Sequence, residues 1–316
     1  MKRNRTESVV VCSRSFSRTP LLRSELLAKY SRVIFNDEGL QLTEDSLVAF
    51  LRGHQKAIIG LERITENILA QLPDLKVIGK FGVGLDTIDL FAMKKFGIYL
   101  GWMPGTNKRS VSELVISNAI ALLRHVPSAH QEVLTGKWRQ QMGGLLSGRT
   151  IGVIGCNNIG KDVIALLQPW GCKFLSYDLV DSPEFNSAHG VLAVGLEELL
   201  MNSDVVTLHL PLNESTRNIL SKSRIDLMKQ SAILINTARG GLVDEAAVKE
   251  ALKNHRLAGA AFDVFSSEPP QDRELLALPN FLVTPHIGGS TEEATIAMGR
   301  AAIRGLDENT VPTPGA

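Results

Sequence analysis

The segment Thr150-Ile151-Gly152-Val153-Ile154-Gly155-Cys156-Asn157-Asn158-Ile159-Gly160 constrains the fold more than any other stretch of this chain. A short apolar run of strand length enters a glycine turn, and a helical pattern follows over residues 161–170. The next strand-like run ends on Tyr177-Asp178, so an acidic residue stands 23 positions past Gly155. Strand, tight turn, helix and returning strand make a βαβ unit, and parallel strands need such crossovers. The helix N-terminus then presents free N–H groups and a positive dipole end to whatever lies outside the strand ends.

That layout is the one that binds a dinucleotide. Gly155 allows the tight turn, and Gly160 allows close packing of helix on strand. Asp178 is placed to accept from the adenosine ribose hydroxyls and to repel a 2′-phosphate. Leu179 and Val180 follow it rather than a cation, which favours NAD over NADP. The middle fingerprint position holds Asn157 instead of glycine. Asn tolerates positive φ better than other side chains, so the turn can survive. Its carboxamide is expected to crowd the phosphates or to hydrogen-bond to them, weakening NAD.

Apolar runs of strand length recur through the chain, separated by helical patterns. Before the junction they lie near residues 9–11, 33–35, 57–59, 77–78 and 98–100, with helices at 21–30, 44–51, 65–72 and 88–96. The rhythm restarts near Thr150, with strands at 151–154, 173–177, 205–208, 232–236, 260–262 and 281–283. Such alternation predicts α/β architecture with parallel sheets in two domains. Gly101-Trp102-Met103-Pro104-Gly105 marks the first junction. Residues 110–134 read as mostly helical, either as packing at the junction or as a dimer surface. Residues 310–316 lack a pattern and are expected to fray.

Composition excludes several classes. Lys plus Arg number 34 against 33 Asp plus Glu, so no bulk charge draws nucleic acid or an anionic membrane. A hydrophobic content of 44% suffices for real cores, yet no apolar stretch approaches a membrane span. Lys2, Arg3 and Arg5 precede only a short apolar run, Val9 to Cys12, too brief for a secretory segment. A first strand after a loose basic tail is the better reading. Cys12, Cys156 and Cys172 form no C-x-x-C pair and no metal-ligand spacing, which fits reduced, buried thiols in the cytoplasm and no bound metal.

Three charged or titratable residues follow strand ends in the second half: Arg239, Glu268 and His286. Taken singly, each reads as a surface salt bridge, a loop acid or a structural histidine. Together, beside Gly240-Gly241 and Gly288-Gly289, they sit where open α/β sheets bind ligands. The set fits oxidation of a 2-hydroxy acid. A histidine takes the hydroxyl proton, a carboxylate orients the imidazole, and a guanidinium holds the substrate carboxylate and polarises the C2 oxygen.

In these residues the chain resembles the NAD-dependent D-2-hydroxyacid dehydrogenases, within them the phosphoglycerate dehydrogenase-like branch. The matching segments run in order from about residue 57 to 298 and include Phe81-Gly82-Val83-Gly84, Pro104-Gly105-Thr106-Asn107 and Ile151 to Gly160. They continue through His209-Leu210-Pro211-Leu212, Asn236 to Asp244, Phe262-Asp263-Val264-Phe265 and Pro285-His286-Ile287-Gly288-Gly289. The resemblance implies a Rossmann NAD domain over 103–286 inserted into a flavodoxin-like substrate domain of 1–102 plus 287–316. It implies His286 as acid/base, Glu268 as its partner and Arg239 as substrate anchor.

Cofactor contacts are implied at Val83, Gly155, Asn157, Asn158, Ile159, Gly160, Asp178, Leu210, Pro211, Thr216, Thr237, Ala238, Asp263, Gly288 and Gly289. Leu210 and Pro211 fall on the adenine side, and Thr237, Ala238 and Asp263 toward the nicotinamide. Substrate contacts are implied at Gly82, Val83 and Gly84, whose N–H groups face a carboxylate, and at Ile59 and Lys80. Relatives tend to carry phosphate-binding arginines at the last two positions. One cation is therefore missing and one is a point charge without a bidentate fork. Phosphoglycerate, which belongs to serine biosynthesis, is the first expectation. Glyoxylate, hydroxypyruvate or a sugar-derived acid is the alternative, and an NAD-sensing corepressor-like protein a more distant one. The resemblance also implies a homodimer through the NAD domain, no nucleic-acid or membrane partner, and no room for the C-terminal regulatory domain of some relatives.

Overall fold

The computed structural model describes residues 7–180 and 182–313. The basic tail expected before Glu7 and the last three residues lie outside that range. The chain divides into two compact units. One runs through Asn107 and resumes at Ser290, and the other is Lys108–Gly289.

The first unit holds five parallel strands: β1 (Ser8–Val11), β2 (Arg32–Phe35), β3 (Lys56–Ile59), β4 (Val77–Lys80) and β5 (Tyr99–Gly101). Their order is β2-β1-β3-β4-β5, the flavodoxin-like order, which reverses direction between β1 and β3. The inner strands β1, β3 and β4 are buried along their whole length, because helices cover both faces. The returning helix Glu292–Gly305, capped by Thr291, supplies Ala302 and Ile303 to the core that Val9, Phe16 and Leu22 begin. Beyond it, Tyr30 donates to Asp307 at 2.5 Å, and buried Lys56 reaches Tyr30 and Asp307. Thr310 does not fray: it pairs with Leu100 through two backbone hydrogen bonds of 2.9 and 3.0 Å.

The second unit holds seven parallel strands: β6 (Thr150–Ile154), β7 (Lys173–Tyr177), β8 (Val191–Ala193), β9 (Val205–Leu208), β10 (Ile233–Asn236), β11 (Gly259–Phe262) and β12 (Phe281–Val283). Their order is β12-β11-β10-β9-β6-β7-β8, a Rossmann sheet extended by one strand, with its switch point between β6 and β9. The two-sheet α/β architecture agrees with the expectation from sequence. Strand β8, within the apolar run Val191-Leu192-Ala193-Val194, and the helix Pro183–His189 before it were not among the expected elements.

Residues 110–134 are two helices rather than one. The first, Lys108–Leu123, stops before His125, whose φ is +54°, and Val126–Leu134 follows. Pro127 has no N–H to offer the Leu123 carbonyl, and Gly144 N donates to that oxygen instead at 2.9 Å. The unit boundaries fall a few residues past 102 and 286. Trp102 Nε1 donates to Val83 O within the first unit, whereas Ser110 Oγ donates to Gly288 O within the second.

Candidate functional site

The turn after β6 is built from its own sequence. Gly155 has φ +95°, and a Cβ there would stand 2.8 Å from the carbonyl carbon of His209, so only glycine fits against the β9 end. The helix Asn158–Leu167 starts immediately after Asn157. Asn157 does not use the left-handed region that its residue type tolerates: its φ is −95° and its ψ −155°, extended backbone. Its side chain turns into the protein. The Oδ1 accepts from Ile159 N at 3.2 Å, and Nδ2 donates to His209 O. Arg109 braces this helix through two bonds to Asp162, 2.9 and 3.0 Å. Burial pushes the Asp162 carboxyl up, and the Arg109 hydrogen bond and charge outweigh it and hold it below its ordinary value.

Asp178 follows β7 and accepts from Val180 N at 3.1 Å. It lines a small pocket with Cys156 and with Ser176, Asn186 and Ala193, which the sequence pattern did not single out. Ser176 and Ala193 lie in β7 and β8, Cys156 in the turn after β6, and Asn186 in the helix Pro183–His189. Burial pushes the Cys12, Cys156 and Cys172 thiols up, and all three are free.

Arg239, Glu268 and His286 follow β10, β11 and β12, three adjacent strands. His286 Nδ1 and Glu268 Oε2 are 2.8 Å apart, with both side chains partly exposed. Glu268 Oε1 accepts from Phe265 N at 3.1 Å, which fixes the carboxylate. Gly240 is required beside this loop, because a Cβ there would fall 1.9 Å from the backbone of Phe265. Asn236 shapes the turn that carries Arg239: its Oδ1 accepts from Ala238 N, and its Nδ2 donates to Arg239 O. Arg239 Nη1 donates to Ala238 O at 2.6 Å. A cavity of about 390 Å³ adjoins Glu268 and His286 and is walled by Phe265, Pro269, Pro270 and Thr284.

Two expected cofactor contacts have other partners here. Asp263 is 1% exposed, and its carboxylate accepts from Thr284 Oγ1 (2.6 Å), Ile287 N (2.8 Å) and Gly288 N (2.7 Å). It thus holds the loop in which His286 takes a φ of +54°. Thr216 is buried, and its hydroxyl donates to Pro211 O at 2.7 Å and accepts from Asn213 N at 2.9 Å, closing its own loop. Leu210 and Ala238 are buried, and Pro211 is exposed.

In the first unit, the carboxyl ends of β3 and β4 carry the other expected residues. Ile59 is 0% exposed and packs in a core with Val10, Leu47 and Ile78, so it offers a ligand no surface. Its assignment to substrate binding is withdrawn. Lys80 is buried, and its Nζ donates to Gly60 O. Glu62 accepts from Gly60 N at 2.6 Å, a carboxylate the sequence pattern did not flag. Gly82 has φ +136°, and Val83 O accepts from Trp102.

The family model for the NAD-binding domain of D-isomer specific 2-hydroxyacid dehydrogenases matches residues 116–288. The D-3-phosphoglycerate dehydrogenase of Methanocaldococcus jannaschii is 39% identical over 289 residues, 88% of this chain and 54% of that protein. The chain spans about half the length of the curated relatives it matches. Among solved structures, the pyruvate reductase of Chlamydomonas reinhardtii superposes with a TM-score of 0.81 at 29% identity, over 95% of each chain. The D-lactate dehydrogenase of Aquifex aeolicus, solved with NAD and lactic acid, gives 0.80 at 27% identity, over 94% of this chain and 93% of that one.

The residues of the second unit fit NAD. The Gly155 turn opens the helix N-terminus, and Asp178 lies just beyond β7 in a pocket with Cys156. Thr237 Oγ1 and His209 Nδ1 are buried polar atoms without a hydrogen-bond partner, at the ends of β10 and β9. Burial lowers the His209 pKa to about 3, so its ring is neutral. With the matched domain covering more than half of its 316 residues, the chain belongs to the D-isomer specific 2-hydroxyacid dehydrogenase family.

Proposed function

We propose that the protein transfers hydride between NAD(H) and a small D-2-hydroxy or 2-keto acid. The observation that carries this reading is the His286–Glu268 pair, 2.8 Å apart beside an open cavity. Glu268 fixes the imidazole through Nδ1 and leaves Nε2 to exchange a proton with the substrate C2 oxygen. The negative charge of Glu268 stabilises the protonated ring. Arg239, held by the Asn236 turn, grips the substrate carboxylate and polarises the C2 oxygen. NAD, when bound, accepts or supplies the hydride. Gly288 and Gly289 border the cofactor.

For the substrate, 3-phospho-D-glycerate and its keto acid are the first reading, supported by the names of the curated relatives. An unphosphorylated acid is the second, favoured by the buried Ile59 and by the Glu62 carboxylate beside Lys80 at Gly60. The test is kcat/KM for phosphohydroxypyruvate against hydroxypyruvate, which differ only in the phosphate. A preference above about tenfold for the phosphorylated acid supports the first reading, since one charge-assisted hydrogen bond contributes about 1.5–3 kcal/mol. Parity or reversal supports the second. The first reading belongs to serine biosynthesis.

The same reading includes a homodimer through the second unit. Trp138, Met142, Leu145 and Leu134 are 87%, 96%, 70% and 66% exposed and lie in one segment, far more apolar surface than a lone residue leaves. Trp138→Glu with Met142→Glu is expected to halve the sedimenting mass. An unchanged mass contradicts this interface. Three unpaired thiols suit the cytoplasm, and no helix of the described residues is long and apolar enough to cross a membrane.

A further inference from the structure

We propose that Asn157 is an internal competitor of the NAD pyrophosphate, and that its side chain must leave the helix N-terminus for the cofactor to bind. The proposal rests on the cofactor reading of the second unit. A pyrophosphate at a helix N-terminus is held by the first free N–H groups of that helix. In the helix Asn158–Leu167, the second of these, Ile159 N, is already donated to Asn157 Oδ1 at 3.2 Å. The other end of the same carboxamide donates to His209 O, across the switch point between β6 and β9. The side chain therefore ties together the two lips of the crevice and satisfies a donor the phosphate needs.

The carboxamide is planar, so its two ends move together. Rotating Oδ1 away from Ile159 N also breaks the contact to His209 O. Both hydrogen bonds belong to the ligand-free protein: on binding, Ile159 N donates to a phosphate oxygen instead, and His209 O gives up the carboxamide donor. A contact made in only one of two states stabilises that state and weakens by the same factor any ligand that selects the other. Glycine at this position makes neither contact. Asn157 thus raises the stability of the free protein and lowers its affinity for the dinucleotide, with no strain in the backbone, whose φ of −95° suits any residue.

The experiment is equilibrium NADH binding by calorimetry together with thermal unfolding, with and without saturating NADH. The wild type is compared with Asn157→Ala, Asn157→Gly and Asn157→Ser. Asn157→Ala keeps a Cβ but loses the cap, and its Kd for NADH is expected to fall roughly fivefold, the worth of an N-cap. Asn157→Gly should bind at least as tightly. Asn157→Ser keeps a capping oxygen and should stay near the wild-type Kd. Without ligand the alanine variant should melt lower than the wild type, and saturating NADH should bring the two midpoints together.

An alanine variant that binds equally or more weakly overturns the proposal. So does a gain confined to glycine, which assigns the cost to crowding by the Cβ rather than to competition for Ile159 N. If the alanine variant folds poorly, the glycine and serine variants carry the same comparison. Absence of NADH binding in the wild type as well would refute the cofactor reading itself.

Discussion

The carboxyl ends of the two sheets use charge in opposite ways. In the second unit, His286 and Glu268 meet side chain to side chain at 2.8 Å, partly exposed, with a cavity beside them. In the first unit, Lys80 and Glu62 both turn to the backbone of Gly60, one to its carbonyl and one to its N–H. A paired, accessible imidazole can move a proton. The Lys80 ammonium is buried and donates to the Gly60 carbonyl.

The comparison is broken most directly at the imidazole. His286→Ala is expected to lower kcat by about 10³-fold, within the usual range for a general acid–base, while the Kd for NADH stays within about twofold. Steady-state kinetics and NADH titration check both halves. Arg239→Lys keeps the charge but loses the planar fork, and kcat/KM for the best keto acid should drop by about 10²-fold. A drop under threefold would remove Arg239 as the anchor.

Substitutions in the first unit sharpen the same contrast. Lys80→Met should change KM by roughly tenfold with the phosphorylated acid, one charge-assisted bond's worth, and leave kcat with pyruvate within about twofold. Equal loss of kcat with every acid would instead give the first unit a share in the chemistry.

The remaining expected effect concerns stability rather than catalysis. His209 is buried and neutral, with its pKa lowered to about 3. The unfolded chain binds its proton near pH 6.5, so the contribution of this residue to stability is present above about pH 6.5 and is lost as pH falls toward 3. The slope is at most about 1.4 kcal/mol per pH unit. His209→Asn removes that loss, so thermal midpoints of wild type and variant should converge or cross as the pH is lowered from 7 to 4. Parallel curves would contradict the assignment.

What could be read in advance depended on whether the chemistry lay in spacing or in direction. The strands that carry Gly155, Asp178, Arg239, Glu268 and His286 are short, mostly apolar runs, and the residues after them follow from chain order alone. Strand β8, three apolar residues of which one is buried, was too short to stand out as a strand. Side-chain direction was not available. Ile59 sits at the end of β3, as a ligand residue should, yet its side chain faces the core. Asp263 is satisfied by a loop more than twenty residues later, a contact no local pattern encodes. Asn157 invited an expectation of positive φ from its residue type, whereas its extended backbone follows from a cap that depends on where His209 O lies. The break at His125 was available in principle through Pro127, but composition favoured one continuous helix.

The most direct measurement is NADH oxidation by the purified protein across a small panel of 2-keto acids, with NADH binding measured on the same sample. Binding and catalytic turnover with at least one acid of the panel are the expected result, because the paired imidazole and carboxylate and the Arg239 guanidinium follow three adjacent strands. Binding of NADH without oxidation by any 2-keto acid would contradict it and would point to a protein that senses the cofactor.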